Sequence, residues 1–238
     1  MLCNLKNCFK VIPASTDALK NEVFRIRYDV YCEELGYEDT KKFPDKLEQD
    51  SYDAHSLHYL LWHKSSEQFA GCVRLAKTAP GLNNQKLPFE LTCNDTLDRS
   101  IIDISQLPAN SYAEISRLAV RSAFRRRSGE KDSTSDGVIL QANIEDRRSF
   151  PSIAFGLYLA AAASGLNANL ERVFAMMEPR LARLLRISGI HFEQIGKAIE
   201  HRSLRAPYQI TEVGFYEHMP ENIKLLLDDI REDIEAAG

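Results

Sequence analysis

Glu114 and Arg117 stand three apart in "YAEISRLAV" (112–120), a run rich in β-forming residues. A carboxyl group flanked by Tyr112 and Ile115 on a half-buried strand loses hydration, and lost hydration raises its pKa toward that of a useful general base. More charged groups lie upstream. Arg27 sits on a helical stretch followed by Tyr31 and Tyr37, Asp50 and Asp53 bracket "DSYD", and Arg74 lies in "GCVRL". Such acids either hold arginines in charge-assisted pairs or receive the ammonium of an amine. Glu114 is the candidate base, directly or through a water. The other reading makes it a structural partner of Arg117 or Arg74, and the two roles can coexist.

The elements that must position these groups follow from period and punctuation. Thr16 or Asp17 can cap a first helix whose core face is Val23, Ile26 and Val30, with Arg27, Tyr31 and Glu34 on the stripe beside it and Gly36 at its end. A polar loop, "KKFPDKLEQDSYDAH", carries both aspartates; without a site, stripe and loop are a solvated face. Two strands follow, "SLHYLLWHK" and "QFAGCVRLAK". In the second, alternation places Phe69, Gly71, Val73 and Leu75 on one side and Ala70, Cys72, Arg74 and Ala76 on the other. Residues 80–100 read as an irregular excursion. Alternation along 112–120 puts Glu114 and Ser116 opposite Arg117, so a shared site requires a β-bulge there. The charged piece 125–149 reads as a polar mobile insertion. After it come a helix over 150–167, a buried strand at 172–179, a helix starting on Pro179, two strands and a polar C-terminal helix. The order predicts one mixed α/β (α+β) domain spanning 1–238.

Composition narrows the class. The chain has 238 residues, 44% hydrophobic and 27% charged, enough to bury a core, and its net charge of −4 argues against a general nucleic-acid binder. Five cysteines, an odd count without a CxxC pair, argue against a disulfide scaffold or zinc ribbon and read as reduced, buried thiols. Cys72 shares a strand side with Arg74; a small buried thiol is the simpler reading than a nucleophile. The histidines form no metal motif, because His58 and His63 face opposite sides of one strand. No apolar signal core or membrane span is present in the sequence, so the expected location is cytoplasmic with no transmembrane segment.

In order and separation, "RIRYDVYCEELGY", "DSYD", "GCVRL" and "YAEISRLAV" resemble the acyl-homoserine-lactone (autoinducer) synthases. The matching positions are Arg27, Tyr31, Tyr37, Asp50, Asp53, Arg74, Glu114 and Arg117. The chain is more similar still to the PEP-CTERM/exosortase system-associated acyltransferases, through "VFRIRYDVYCEELGYE" and "GIHFEQIGKAIEHRSLRAPYQI", over roughly residues 15–215. The resemblance implies a GNAT-like fold, a central mixed sheet with two splayed strands flanked by helices. It also implies a bulge in 112–120 whose N–H groups at Leu118, Ala119 and Val120 meet pantetheine and the oxyanion. It pairs Arg27 with the Asp50–Asp53 loop, leaving Arg27, Tyr31, Tyr37, Asp50, Asp53, Arg74 and Arg117 as substrate-binding candidates.

The implied function is N-acyl transfer from an acyl carrier protein thioester, or acyl-CoA, to a small amine such as an amino acid, with no permanently bound cofactor and no metal. Arg121, Arg125, Arg126 and Arg127 follow the strand where GNAT proteins bind the donor's phosphate. Only Gly129 remains of the usual glycine-rich signature, which favours a single phosphopantetheine phosphate and an acidic carrier protein over the pyrophosphate of coenzyme A; otherwise the run is a solvated basic loop. Tyr31 and Tyr37 replace the Phe and Trp of the autoinducer synthases, which argues against S-adenosylmethionine as acceptor. Two alternatives stand: an autoinducer synthase using that acceptor, and a non-catalytic module binding acyl lipid or carrier protein.

Overall fold

The computed structural model describes residues 5–79, 81, 85–108, 110–125 and 150–236. The insertion expected over 125–149 lies outside the described residues except for Arg125, as do Arg126 and Arg127.

A short α1 (Leu5–Cys8) leads into β1 (Phe9–Pro13), a strand the sequence pattern did not flag. α2 (Asp17–Tyr28) starts as expected on Thr16, whose Oγ1 accepts from the Leu19 N–H. It runs on into a π-helical turn, Asp29–Glu34, and the chain reverses at Gly36 with φ +63°. That inserted turn rotates the residues after Tyr28 relative to those before it, and π turns concentrate at functional sites. Then come β2 (Leu57–His63), β3 (Gln68–Ala76), α3 (Pro88–Cys93), β4 (Tyr112–Val120) and α4 (Ser122–Arg125). The rest comprises α5 (Phe150–Asn167), β5 (Arg172–Met177), α6 (Pro179–Ile187), β6 (Glu193–Gln194), β7 (Ile199–Glu200), β8 (Leu204–Thr211), α7 (Glu212–Glu217) and α8 (Glu221–Glu235).

The strands form one mixed sheet in the order β1-β2-β3-β4-β5-β8-β6, with β7 paired to β8. Among the described residues only β4 and β5 run parallel. A parallel pair needs a crossover, and α5 lies in it, buried along most of its length beneath the sheet. α8 packs beside α5 on that face. On the other face α2 and the π turn lay Val23, Ile26 and Val30 over Leu60, Cys72 and Ala119. The excursion at 80–100 is not irregular throughout: α3 forms inside it. Pro88 opens that helix, and Leu87 and Phe89 bury a third cluster with Ile104 and Phe174.

The alternation of β3 also needs correction at its start. Leu61 pairs with Gly71 but Trp62 pairs with Phe69, so Ala70 is bulged. Ala70 therefore joins Val73 and Leu75, and Phe69 moves to the side of Cys72. Among the described residues no helix is long and apolar enough to cross a membrane.

Candidate active site

β4 departs from regular pairing twice, once on each edge. Toward β5, its shared rungs run only from Tyr112 to Ile115, although β4 continues to Val120 and β5 to Met177. The strands part beyond Ile115. Toward β3, Arg74 pairs with Ser116 and Cys72 with Ala119, so Arg117 and Leu118 together oppose Val73. This is the bulge the site required. Arg117 takes φ +50°, a left-handed conformation costly to a side chain with a Cβ. Close approach of β3 makes the bulge fit. A Cβ on Gly71 would lie 2.4 Å from the Ala119 carbonyl oxygen, so that position excludes any larger residue. The Tyr31 hydroxyl donates to the Leu118 carbonyl oxygen at 2.8 Å and pins the bulge from the α2 side.

The extra residue turns Arg117 to the same face as Glu114, Ser116 and Arg74. Three guanidinium groups and three carboxylates interlock there. Arg27 Nε reaches Glu48 at 2.5 Å and its Nη1 reaches Asp53 at 2.7 Å. Arg74 Nη1 bridges Asp50 at 2.6 Å and Asp53 at 2.8 Å, while its Nε donates to Ser116 Oγ at 3.1 Å. Arg117 lies 3.3 Å from Glu48 and 3.0 Å from Asp50. The charges balance, three against three. Burial alone would raise the Asp53 pKa, but Arg27 and Arg74 hold it well below the usual carboxylate range. Arg27 is fully buried, yet Glu48 and Asp53 keep it charged. His58 is pushed down to about 4 by burial against the pull of Asp53, so it stays neutral there.

Arg27 is thus not on a solvated stripe. It ties the 48–53 loop to α2. Asp53 is enclosed by arginines, whereas Asp50 is partly exposed at the network's rim. Glu48 was missed at the sequence level: an acid two residues before Asp50 carries no motif, and only the fold shows it facing Arg27 and Arg117.

Glu114 stands apart from the interlocked six. It is 3% exposed, and the Phe89 N–H at the start of α3 donates to its Oε2 at 2.9 Å. Burial pushes its carboxyl up to about 7, against the opposing pull of the Phe89 amide, Arg74 and Arg117. A carboxyl group poised at neutrality can take a proton and release it.

The aromatic candidates form a stack. Arg117 Cζ lies 5.9 Å from the Tyr31 ring centroid, Tyr31 stacks on Tyr37 at 6.4 Å, and Arg202 covers Tyr37 at 5.5 Å. Arg202 also pairs with Glu38, so the β7–β8 hairpin is fastened to the segment after α2. Burial raises the Tyr31 phenol to about 12, which keeps it a hydrogen-bond donor. Cys72 is buried, and desolvation pushes its thiol up to about 12, unsuited to a nucleophile.

The arginines after β4 are differently placed than a phosphate clamp requires. Arg121 Nη2 lies 3.0 Å from Glu22 and 3.2 Å from Asp29, and Arg125 pairs with Glu34. A donor phosphate would have to displace these acids.

An acetyltransferase (GNAT) domain model matches residues 26–132, from α2 past the bulged strand. No curated protein matches the chain. Among solved structures the fold is similar to the AHL synthase LasI, at 16% identity and TM-score 0.55, covering 89% of this chain and 95% of that one. It is also similar to BjaI, a CoA-dependent acyl-homoserine lactone synthase solved with SAM and isopentyl-CoA, at 19% identity and TM-score 0.55, covering 94% and 89%. FeeM, an N-acyl amino acid synthase from uncultured soil microbes, matches at 13% identity and TM-score 0.57, covering 91% and 97%. Residues 26–132 thus match an acetyltransferase (GNAT) domain, and the chain shares its mixed α/β fold with these synthases.

Proposed function

We propose that the chain is an N-acyltransferase moving a fatty acyl group from an acyl carrier protein thioester to the amine of an amino acid or a similar small acceptor. The observation that carries this reading is Glu114. It is a buried carboxyl with its pKa raised to about 7, set on a bulged strand where β4 and β5 part. With the thioester between the parted strands, Glu114 accepts a proton from the incoming ammonium, directly or through a water. The freed nitrogen attacks the thioester carbon, and the oxyanion lies against main-chain N–H groups at Leu118, Ala119 and Val120. Collapse breaks the C–S bond. One proton leaves with the thiol, and the other passes through Glu114 to solvent.

The interlocked arginines and acids act by position. Arg27, Glu48 and Asp53 hold the 48–53 loop, Arg74 supports Ser116 beside the bulge, and Arg117, Tyr31, Tyr37 and Asp50 line the acceptor side. Supporting a carrier protein over coenzyme A is the glycine-poor sequence after β4, which does not suit a pyrophosphate; Arg121 and Arg125 are themselves held by Glu22, Asp29 and Glu34. The resemblance to exosortase-associated acyltransferases supports a role in that system, where a protein or polysaccharide amine would serve as the acceptor.

The test is a mass-spectrometric screen of acyl-carrier and acyl-CoA thioesters against candidate amines, with wild type beside Glu114→Gln. Amide product that vanishes in the variant supports the reading. Equal background in both rejects it and leaves a binding module. The autoinducer-synthase reading draws support from the folds of LasI and BjaI. It predicts release of methylthioadenosine from S-adenosylmethionine, and ranks second because tyrosines stand at both aromatic positions.

A further inference from the structure

Tyr52, the aromatic residue of "DSYD", reaches out of its own loop. Its N–H donates to Asp50 Oδ1 at 2.9 Å, which fixes its backbone beside the charge network. Its hydroxyl donates to the Lys86 carbonyl oxygen at 2.6 Å, 34 residues further along the chain and just before α3. Between these two ends the ring passes Arg74, whose Cζ lies 6.0 Å from the ring centroid. Arg74 is fully buried, with Nε on Ser116 and Nη1 on Asp50 and Asp53, while its Nη2 has no hydrogen-bond partner among the described residues. The face of an aromatic ring attracts such a cation and so anchors Tyr52 from below.

The far end of this bridge leads to Glu114. Phe89, whose N–H donates to Glu114 Oε2 at 2.9 Å, follows Lys86 closely in the chain. The stretch joining them is tied down, because the Leu87 N–H donates to Glu90 Oε1 at 2.8 Å and the Leu87 and Phe89 side chains are buried. Tyr52 also lies near enough to Glu114 for the two to interact electrostatically. The other charged groups around the pair are Arg74 from β3, Arg117 from β4, Asp50 from the loop and Glu90 from α3. Glu114 and Arg74 are buried, whereas Tyr52 is half-buried, so its ring stands where these groups meet water.

We propose that Tyr52 is a positioning residue for Glu114, its ring a cover that keeps water from the carboxyl and its hydroxyl the catch that holds the cover against the turn before α3. The proposal rests on the acyl-transfer reading for the use made of Glu114, and adds the residue that keeps this base dry. Ring and catch separate by substitution. Tyr52→Phe keeps the cover and loses the catch; Tyr52→Ala loses both. Water reaching Glu114 favours its charged form. Loosening of the Phe89 amide would act the other way, but burial is the larger of the two influences on this carboxyl.

Carbon NMR of the full chain, labelled with carbon-13 glutamate, follows the Glu114 carboxyl through pH with neither donor nor amine present. Its signal is identified by its loss in Glu114→Gln. In wild type the carboxyl is expected to titrate at about 7. In Tyr52→Ala it should titrate about one unit lower, and in Tyr52→Phe between the two. A residue that only stabilised the fold would leave the titration in place, so an unmoved titration in either variant overturns the proposal. The expected shifts in a protein that transfers acyl groups to no amine would instead refute the proposed function and leave Tyr52 assigned as the cover of Glu114.

Discussion

Replacing Glu114 with glutamine should stabilise the folded protein at alkaline pH while removing acyl transfer. The carboxyl rises from an ordinary 4.5 to about 7 on folding, because burial disfavours its charge. At 1.36 kcal/mol per pKa unit the shift is worth about 3 kcal/mol. Below pH 4.5 both folded and unfolded chains hold the proton, and the group costs nothing. Between pH 4.5 and 7 the unfolded chain releases it while the folded chain keeps it, so stability falls as pH rises through this window and then levels.

Glutamine cannot titrate, yet it still offers an oxygen to the Phe89 N–H. The stability difference between variant and wild type should therefore shift by about 3 kcal/mol, in favour of Glu114→Gln, on going from pH 4 to pH 8. For a chain of this size that corresponds to roughly 6–12 °C in Tm. Urea unfolding of both proteins across the range measures it, and other titrating groups cancel in the difference. In parallel, the wild-type kcat/KM should climb through pH 7 as the base ionises, and that rise should be missing from the variant. Superimposable stability differences at pH 4 and pH 8 would refute the assignment of Glu114 as a buried carboxyl with a raised pKa.

Other outcomes follow from the network and the bulge. Arg27→Met leaves Glu48 and Asp53 buried beside one cation fewer and should cost about 3–5 kcal/mol in urea unfolding; adding Glu48→Gln should recover part, and no recovery would contradict the charge balance. His58 falls from 6.5 to about 4 on folding, so its contribution of about 3 kcal/mol is present above pH 6.5 and lost as pH falls toward 4. An NMR titration finding its imidazole protonating near 6.5 would contradict this. Gly71→Ala drives a Cβ to 2.4 Å from the Ala119 carbonyl oxygen and should cost about 1–3 kcal/mol while lowering kcat. Full activity in a destabilised variant would separate the β3–β4 spacing from the chemistry.

The sequence by itself carried much of what acts within a turn or a strand, though not β1 or the bulge at Ala70. Thr16 caps α2 because a hydroxyl there reaches the Leu19 N–H, and the run from Tyr112 to Val120 is a strand because its residues favour one. The resemblance in four short motifs anticipated the mixed sheet and the domain type. Even the need for a bulge was readable, since Glu114 and Arg117 cannot share a face of a regular strand.

Tertiary structure decided which charges meet. Arg27 finds Glu48 and Asp53 from 21 and 26 residues away, and Arg121 spends its charge on Glu22 and Asp29 rather than standing free for a phosphate. α3 formed inside a segment that composition marks as loop because Leu87 and Phe89 gain a core there, and from that position the Phe89 amide reaches Glu114. Local pattern records which residues suit a helix or a strand. A pKa or an ion pair depends on distance and on the water excluded around it, and both are set only when segments far apart in the chain pack together.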